Sequence, residues 1–265
     1  MTRIIDFHAH LDERWFHVPC DSPSSMVATL DRFDVSVACV FTIMGFYEPC
    51  PPHNDALLRR ADEFPDRLIP FVTVDPKLGR EAVDELERCL SNPRFRGVKF
   101  HPWLQAFASS MLRDTVTDIL KVAAQFDVPV LLHDGTPPYS TTYQVADLAR
   151  WVPEATIVLG HAGSADYVNP AAQLVRDLPN LYGCFCGPRP GDLEHLVALA
   201  GAEKIIFGSD FGAAGWRLLP ERIDNVLEAQ LSPEQFDLIL YANAARLLKV
   251  DPQPLTSSTS QEEAR

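Results

Sequence analysis

The sequence predicts an α/β protein folded as a single-domain (β/α)8 barrel, the TIM barrel. Eight apolar runs rich in β-branched residues recur every 24 to 33 residues, and such runs are typical of buried strands. Segments with helical spacing lie between them. Buried strands that alternate with helices indicate a parallel sheet. A chain of 265 residues also has the length of an eight-stranded barrel, about 250 residues.

The predicted elements follow one another along the whole chain. The strands are 3–8, 35–43, 68–74, 97–101, 128–133, 156–161, 180–186 and 204–210. The helices between them are 24–33, 55–64, 80–90, 110–126, 142–151, 170–178 and 192–200. Two more helices, 220–230 and 233–249, follow the eighth strand. The last of these has Ser232 as its N-cap and Pro233 at its first helical position.

An open, doubly wound sheet is the competing fold. No Gly-x-Gly-x-x-Gly motif follows the first strand to favour it. We therefore expect one barrel domain over residues 1–250. Residues 251–265 are rich in Ser, Thr, Pro and Glu and are expected to form a disordered tail.

Composition limits the classes of partner. The chain has 23 Lys and Arg against 36 Asp and Glu, a net charge of −13, which repels phosphate backbones and argues against a nucleic acid partner. The sequence has no signal-peptide pattern and no apolar stretch of roughly 20 residues, so we expect a soluble, cytoplasmic protein. The six cysteines lack the paired spacing of a zinc knuckle and are expected to be reduced, buried thiols.

Ligand-type side chains stand at the carboxyl ends of several predicted strands, which in a barrel meet at one mouth. His8 and His10 lie two residues apart at the first strand, so both can reach one ion. His133, His161 and Asp210 end strands five, six and eight. Each alone is explained by a polar strand end, or for Asp210 by a helix N-cap. Together they form a zinc-type ligand set with one position open for water.

The motifs at these positions resemble those of the amidohydrolase superfamily, in its amidohydrolase-related branch. That branch includes aminocarboxymuconate-semialdehyde decarboxylase and related decarboxylases, lactonases and hydratases. The motifs are His-x-His at 8–10, Gly-Val-Lys-Phe-His-Pro at 97–102, Gly-His-Ala-Gly at 160–163, Phe-Gly-Ser-Asp at 207–210 and Tyr-Ala-Asn-Ala at 241–244.

The resemblance implies a ligand set and catalytic groups. His8, His10, His133 and Asp210 would bind one divalent ion, most often Zn²⁺, with Mn²⁺ as the alternative. Asp210 would also take a proton from the activated water. His161 would be a catalytic imidazole, or else a fifth ligand.

Lys99 has two interpretations. In dinuclear relatives a lysine on strand four is carboxylated and bridges two ions. The interpretation that we favour is an ammonium that binds a substrate carboxylate or pairs with Asp210. Two bound ions would therefore indicate a carboxylated Lys99.

Residues near the mouth are predicted to contact the substrate. They are Lys99, His101, Trp103, Tyr139 and Arg189. Aromatic side chains suit a flat or apolar molecule, and an arginine can bind a carboxylate, although Arg189 is equally explained as a solvated loop residue. The expected partner is a small aromatic compound or carboxylate, and the resemblance also implies a homodimer.

Two reactions remain open at this stage. The first, which we favour, is metal-dependent hydrolysis of an ester, lactone or amide bond. The second is non-oxidative decarboxylation of a carboxylated aromatic or unsaturated acid. A binding protein without turnover is a third and weaker hypothesis, because both Asp210 and His161 are present.

Overall fold

The structure, a computed structural model, describes residues 3–189, 191–212, 215 and 217–250. The tail predicted over 251–265 lies outside these ranges. The described part of the chain confirms the alternation of parallel strands and helices. The strands of the barrel are β1 (Ile4–His10), β2 (Val35–Phe41), β3 (Leu68–Pro70), β4 (Val98–Phe100), β5 (Val130–Leu132), β6 (Ile157–Leu159), β7 (Leu181–Phe185) and β8 (Ile205–Phe207). A short antiparallel pair, Arg14–Trp15 and Val18–Pro19, lies in the loop after β1.

The helices occupy the predicted segments, with small shifts at their ends. They are α1 (Pro23–Arg32), α2 (Cys50–Ala61), α3 (Arg80–Leu90), α4 (Arg113–Gln125), α5 (Thr142–Trp151), α6 (Val168–Asp177), α7 (Asp192–Ala200), α8 (Leu218–Leu227), α9 (Pro233–Asp237) and α10 (Asn243–Leu248). Ser232 caps α9 as predicted, in a capping box with Gln235.

Two helices differ from the prediction. Helix α2 begins at Cys50 instead of residue 55, because Pro51 and Pro52 fall in its first turn, where a missing N–H is tolerated. The helix predicted over 233–249 is divided by a π-helical turn, Leu238–Ala242. Such a turn contains an extra residue and changes the face that the following residues present.

The eight strands form a ring. Backbone pairing gives one parallel sheet in the order β1-β2-β3 and a second in the order β8-β7-β6-β5-β4. Isolated parallel bridges join the two sheets at both edges, from Val72 to Val98 and from Ala9 to Phe211. At the second edge the N–H of Asp210 also donates to the carbonyl of His8 at 2.8 Å. This is the (β/α)8 arrangement that the sequence predicts.

The core has two layers. An outer cluster packs the strands against the helices, and an inner cluster fills the barrel. On β4, Val98 and Phe100 belong to the outer cluster, so Lys99 between them points inward, where it is fully buried. A lysine therefore occupies a position at which the neighbouring strands place Leu131 and Val158.

Asn243 ties the last helix to the barrel. Its side-chain amide, fully buried, donates to the carbonyls of Ala202 and Ile205, each at 2.8 Å. We expect Asn243→Ala to lower the free energy of unfolding by about 2 to 4 kcal/mol, because two buried carbonyls lose their donors. Chemical denaturation measures this change. The half-exposed Asn225 of α8 provides a control, and a loss no larger than that of Asn225→Ala would contradict the assignment.

Candidate metal centre

Three ligand atoms meet at the carboxyl ends of β1 and β8. Oδ1 of Asp210 lies 2.9 Å from Nε2 of His10 and 3.2 Å from Nε2 of His8. One ligand atom from each of these residues lies within 4.8 Å of the others. The structure therefore brings together three of the four predicted metal ligands.

The backbone is shaped to allow this meeting. Asp210 adopts a left-handed conformation with φ of 61°, which aspartate tolerates better than most residues. Two residues earlier, a Cβ at Gly208 would lie only 2.8 Å from Cβ of His8. Glycine in the Phe-Gly-Ser-Asp motif is thus required by the close approach of β8 to His8.

The proton positions on His8 make this cluster suitable for a cation. Nδ1 of His8 lies 3.0 Å from the carbonyl oxygen of Gly160, which can only accept, so Nδ1 carries the hydrogen and Nε2 a lone pair. That lone pair faces the Asp210 carboxylate at 3.2 Å. Two acceptors this close repel each other unless a cation, the Lys99 ammonium or a metal ion, lies near both. The donor set of two imidazoles and a carboxylate is one that Zn²⁺ and Mn²⁺ accept.

The protonation states of His8 and Asp210 are those of metal ligands. Burial, followed by the Lys99 charge, holds the pKa of His8 well below its ordinary value, so the ring is neutral, as a metal ligand must be. Burial raises the pKa of Asp210, but the contacts with His10 and the other histidines around it together outweigh this effect and keep the pKa well below its ordinary range. Asp210 is therefore a carboxylate.

Lys99 reaches the same cluster from inside the barrel. Its Nζ lies 3.1 Å from Nε2 of His8 and 4.5 Å from the centre of the Phe41 ring. Burial lowers the pKa of Lys99 to about 8, against the opposing effect of the Asp210 charge. Both interpretations of Lys99, an ammonium or a carboxylated ligand, place it at this position.

His133 and His161 form a second, adjoining pair. Nε2 of His161 lies 2.8 Å from Nδ1 of His133, and Nε2 of His133 lies 2.8 Å from the hydroxyl of Thr136. Nδ1 of His161 faces the carbonyl of Cys186 at 2.9 Å. These contacts fit two neutral rings, with Thr136 donating to His133 and His133 donating to His161. Burial lowers the pKa of His161, whereas a charged Cys186, together with Asp210, would raise it to about 9. Burial holds the pKa of the Cys186 thiol well above its ordinary value, however, so the sulfur is uncharged.

His133 thus has both nitrogens hydrogen-bonded and lies outside the group formed by His8, His10 and Asp210. Its role as the fourth ligand stays a prediction, and it requires the Thr136 hydroxyl to turn away from Nε2.

The ring of His101 stacks on that of His133, with 3.7 Å between the ring centres. Burial, followed by the Lys99 charge, lowers the pKa of His101 to about 2, so this ring is also neutral.

A cavity of about 170 Å³ opens directly onto the cluster. Its apolar walls are Trp15, Ile43 and Leu104. Its polar lining consists of His8, His10, Lys99, His101, His133 and Asp210.

The predicted substrate contacts divide into two groups. Lys99 and His101 line the cavity, whereas Trp103, Tyr139 and Arg189 do not. Trp103 packs beside His101, with 6.2 Å between the ring centres, and Tyr139 is exposed. Arg189 pairs with Asp192 at 3.3 Å and donates to the carbonyl of Ala165, so its charge is already partnered.

Sequence reasoning missed three buried groups that support the site. Asp6 accepts hydrogen bonds from the backbone N–H groups of His8 and Ser209 and from the Ser209 hydroxyl. Asp134 accepts from the backbone N–H of His161 at 2.7 Å, and the Cys186 sulfur contacts both His8 and His161. The two aspartates could have been found, because each stands beside a predicted ligand in an apolar run where a carboxylate needs donors. For Cys186, the sequence pattern predicted that the residue lies on a strand, but it did not predict the contacts with His8 and His161.

Comparison with known proteins agrees with this fold. The Amidohydro_2 family model, described as amidohydrolase, matches residues 5–250. No curated protein matches the sequence.

Several solved structures share the fold. The 5-carboxyvanillate decarboxylase of Sphingomonas paucimobilis is 12% identical with a TM-score of 0.73, over 95% of this chain and 100% of that one. A probable 2-pyrone-4,6-dicarboxylic acid hydrolase of Acinetobacter baumannii, with citric acid bound, is 17% identical with a TM-score of 0.67, over 94% and 100%. The 5-carboxyvanillate decarboxylase of Novosphingobium aromaticivorans, complexed with manganese and 4-hydroxy-3-methoxy-5-nitrobenzoic acid, is 15% identical with a TM-score of 0.69, over 85% and 79%.

None of the helices within the described ranges is both long and apolar enough to cross a bilayer.

Asp134 gives a test of how the site is supported. Its carboxylate accepts from the N–H groups of His161 and Gly163 and from the Thr142 hydroxyl. We expect Asp134→Asn to lower the free energy of unfolding by about 2 kcal/mol, because the new amide NH₂ cannot accept from every donor. The exposed Asp147 forms a surface ion pair with Arg150, so Asp147→Asn should cost less than about 1 kcal/mol. Equal effects of the two changes in chemical denaturation would refute the role of Asp134.

Proposed function

The chain belongs to the amidohydrolase family, and from that premise we propose that it is a metal-dependent hydrolase of a small organic carboxylate. The scissile bond would be an ester, lactone or amide. The observation that carries the proposal is the meeting of His8, His10 and Asp210, with Oδ1 of Asp210 at 2.9 and 3.2 Å from the two imidazoles. This cluster lines a cavity of about 170 Å³.

His8, His10 and Asp210 would hold one divalent ion, with His133 as the fourth predicted ligand. A bound ion supplies Lewis-acid chemistry, lowering the pKa of water and polarising a substrate oxygen. We propose Zn²⁺ because imidazole and carboxylate ligands suit it, with Mn²⁺ as the alternative because one structural neighbour is complexed with manganese.

Three side chains of the protein would carry out the remaining steps of the reaction. Asp210, an ionised carboxylate, accepts the proton of the attacking water. Lys99 points an ammonium into the cavity and binds the substrate carboxylate. His161 is the proposed catalytic imidazole. Its Nε2 carries a lone pair that accepts from His133, and once that contact is released the lone pair can accept a hydrogen bond from water and orient it.

The apolar wall of the cavity restricts the shape of the substrate. Trp15, Ile43 and Leu104 form an apolar side opposite the charged groups, which favours a substrate with a flat apolar body and a polar end. Contact with these side chains also excludes water from the reacting face.

Decarboxylation is the second candidate reaction. Two of the structural neighbours are 5-carboxyvanillate decarboxylases, and the same ammonium at Lys99 could bind the carboxylate that departs. The two reactions differ in what they consume and release. Hydrolysis consumes one water, whereas decarboxylation replaces the carboxylate with a proton and releases carbon dioxide.

Labelled water separates the two reactions. The metal-loaded enzyme is incubated in ¹⁸O-water with a panel of lactones, esters, amides and aromatic carboxylates. We expect one ¹⁸O atom in the acid product, detected by mass spectrometry, since the attacking oxygen comes from water. Release of carbon dioxide with no ¹⁸O in the organic product would overturn hydrolysis in favour of decarboxylation.

Asp210→Asn tests the proposed centre directly. The wild-type chain should bind about one Zn²⁺, whereas the variant should bind it weakly and lose about 10³-fold in turnover, because an amide neither ligates well nor accepts the proton. Metal analysis and steady-state kinetics measure both effects, and thermal unfolding reports on the fold. Asp177→Asn, at an exposed position on α6, is the control.

Two results would change this assignment. Activity of Asp210→Asn close to wild type would refute the role of Asp210. Two ions per chain would instead indicate that Lys99 is carboxylated.

A further inference from the structure

Cys186, directly after β7, contacts His8 of the candidate metal centre and His161 of the adjoining histidine pair. Its sulfur is 3.3 Å from Nδ1 of His8, 3.2 Å from Nδ1 of His161 and 3.0 Å from the carbonyl oxygen of Gly160. The side chain is only 1% exposed. From the sequence this cysteine was interpreted as ordinary packing, but its contacts are more specific than that.

The two histidines present the same ring edge to the sulfur. Nδ1 of His8 donates to the Gly160 carbonyl at 3.0 Å, and Nδ1 of His161 donates to the Cys186 carbonyl at 2.9 Å. Both rings therefore carry their hydrogen on Nδ1, and each has a lone pair on Nε2. The Nε2 of His8 faces Asp210, and that of His161 faces His133.

The Cys186 sulfur occupies the space between these two N–H edges. The ring centres of His8 and His161 are 4.8 Å apart, so one atom of the size of sulfur can touch both. The thiol hydrogen can donate to the Gly160 carbonyl, while the sulfur lone pairs face the two N–H groups. Rotation of either ring by a half turn would place a carbon against the carbonyl that now accepts its hydrogen bond.

His8, His161 and Cys186 also have ligand atoms within 4.8 Å of one another, the spacing of a metal site. Both Nδ1 atoms are engaged with backbone carbonyls, however, and the three side chains are buried. The contacts thus favour a supporting role over a second ion.

We propose that Cys186 is a positioning residue that holds His8 and His161 as Nδ1–H tautomers, with Nε2 of His8 directed at the metal centre and Nε2 of His161 at His133. The functional role of this positioning rests on the proposed metal-dependent function. The tautomers themselves are a property of the metal-free chain and can be measured without it.

Three variants of the full-length protein test the proposal. Cys186→Ala removes the sulfur, and Cys186→Ser restores a donor that can reach the Gly160 carbonyl. Cys39→Ala is the matched control, because Cys39 is a buried thiol of the same inner core on β2. Within the described ranges its sulfur has no hydrogen bond to a histidine.

The first measurement uses protein labelled with ¹⁵N-histidine and free of metal. Chemical shifts of the ring nitrogens distinguish the Nδ1–H from the Nε2–H form. We expect His8 and His161 to be Nδ1–H in the wild type, in Cys39→Ala and in Cys186→Ser. In Cys186→Ala we expect mixed or broadened signals for both rings.

The second measurement is the affinity for Zn²⁺ by competition with a chelator. Loss of a group that orients a ligand costs about 10- to 100-fold in metal affinity, so we expect Cys186→Ala to bind at least about tenfold more weakly than the wild type. Cys186→Ser and Cys39→Ala should stay within about threefold of the wild type.

The outcomes separate a positioning role from plain packing. A lower unfolding temperature of Cys186→Ala with wild-type ring signals and wild-type zinc affinity would overturn the proposal. If the wild type itself bound no metal, the proposed function would fail. The ring-nitrogen spectra of the four proteins would still decide whether Cys186 sets the tautomers.

Discussion

The closure of the ring between β1 and β8 is the constraint on which the site depends. Asp6, fully buried, accepts from the backbone N–H and the hydroxyl of Ser209 and from the N–H of His8. One carboxylate therefore fixes the ends of both strands. Because Ser209 precedes Asp210, the same contacts determine how closely the carboxylate of β8 approaches the imidazoles of β1. Elsewhere on the ring, Asp134 makes a comparable junction between β5 and β6.

Electrostatics in the barrel interior follow from this geometry. A chain with an excess of acidic residues places a lysine and neutral imidazoles around one ionised carboxylate at its mouth. Burial disfavours the charged form of Lys99 and lowers its pKa, whereas the nearby charge of Asp210 favours that form. The interior thus combines a negative ligand, neutral donors and a nearby positive charge, an arrangement suited to holding a cation together with an anionic substrate.

Much of this could be predicted from the sequence, and the limits have physical causes. Strand periodicity predicted the barrel, and polar residues at strand ends predicted that His8, His10 and Asp210 would meet. Sequence spacing cannot report which neighbour a ring nitrogen finds, so the bonding of His133 to Thr136 and of His161 to the Cys186 carbonyl was not foreseen. The early start of α2 was missed because its prolines are also typical of loops.

The bridge from Asp6 to Ser209 spans 203 positions of sequence, nearly the whole barrel. Closing so long a loop costs entropy, which the contacts within it must offset. His8 and His10 lie near one end of the barrel sequence, and Asp210 lies near the other. The candidate centre is therefore complete only when the ring is closed, and an ion that bridges the two ends would favour the completed ring over every partly folded form.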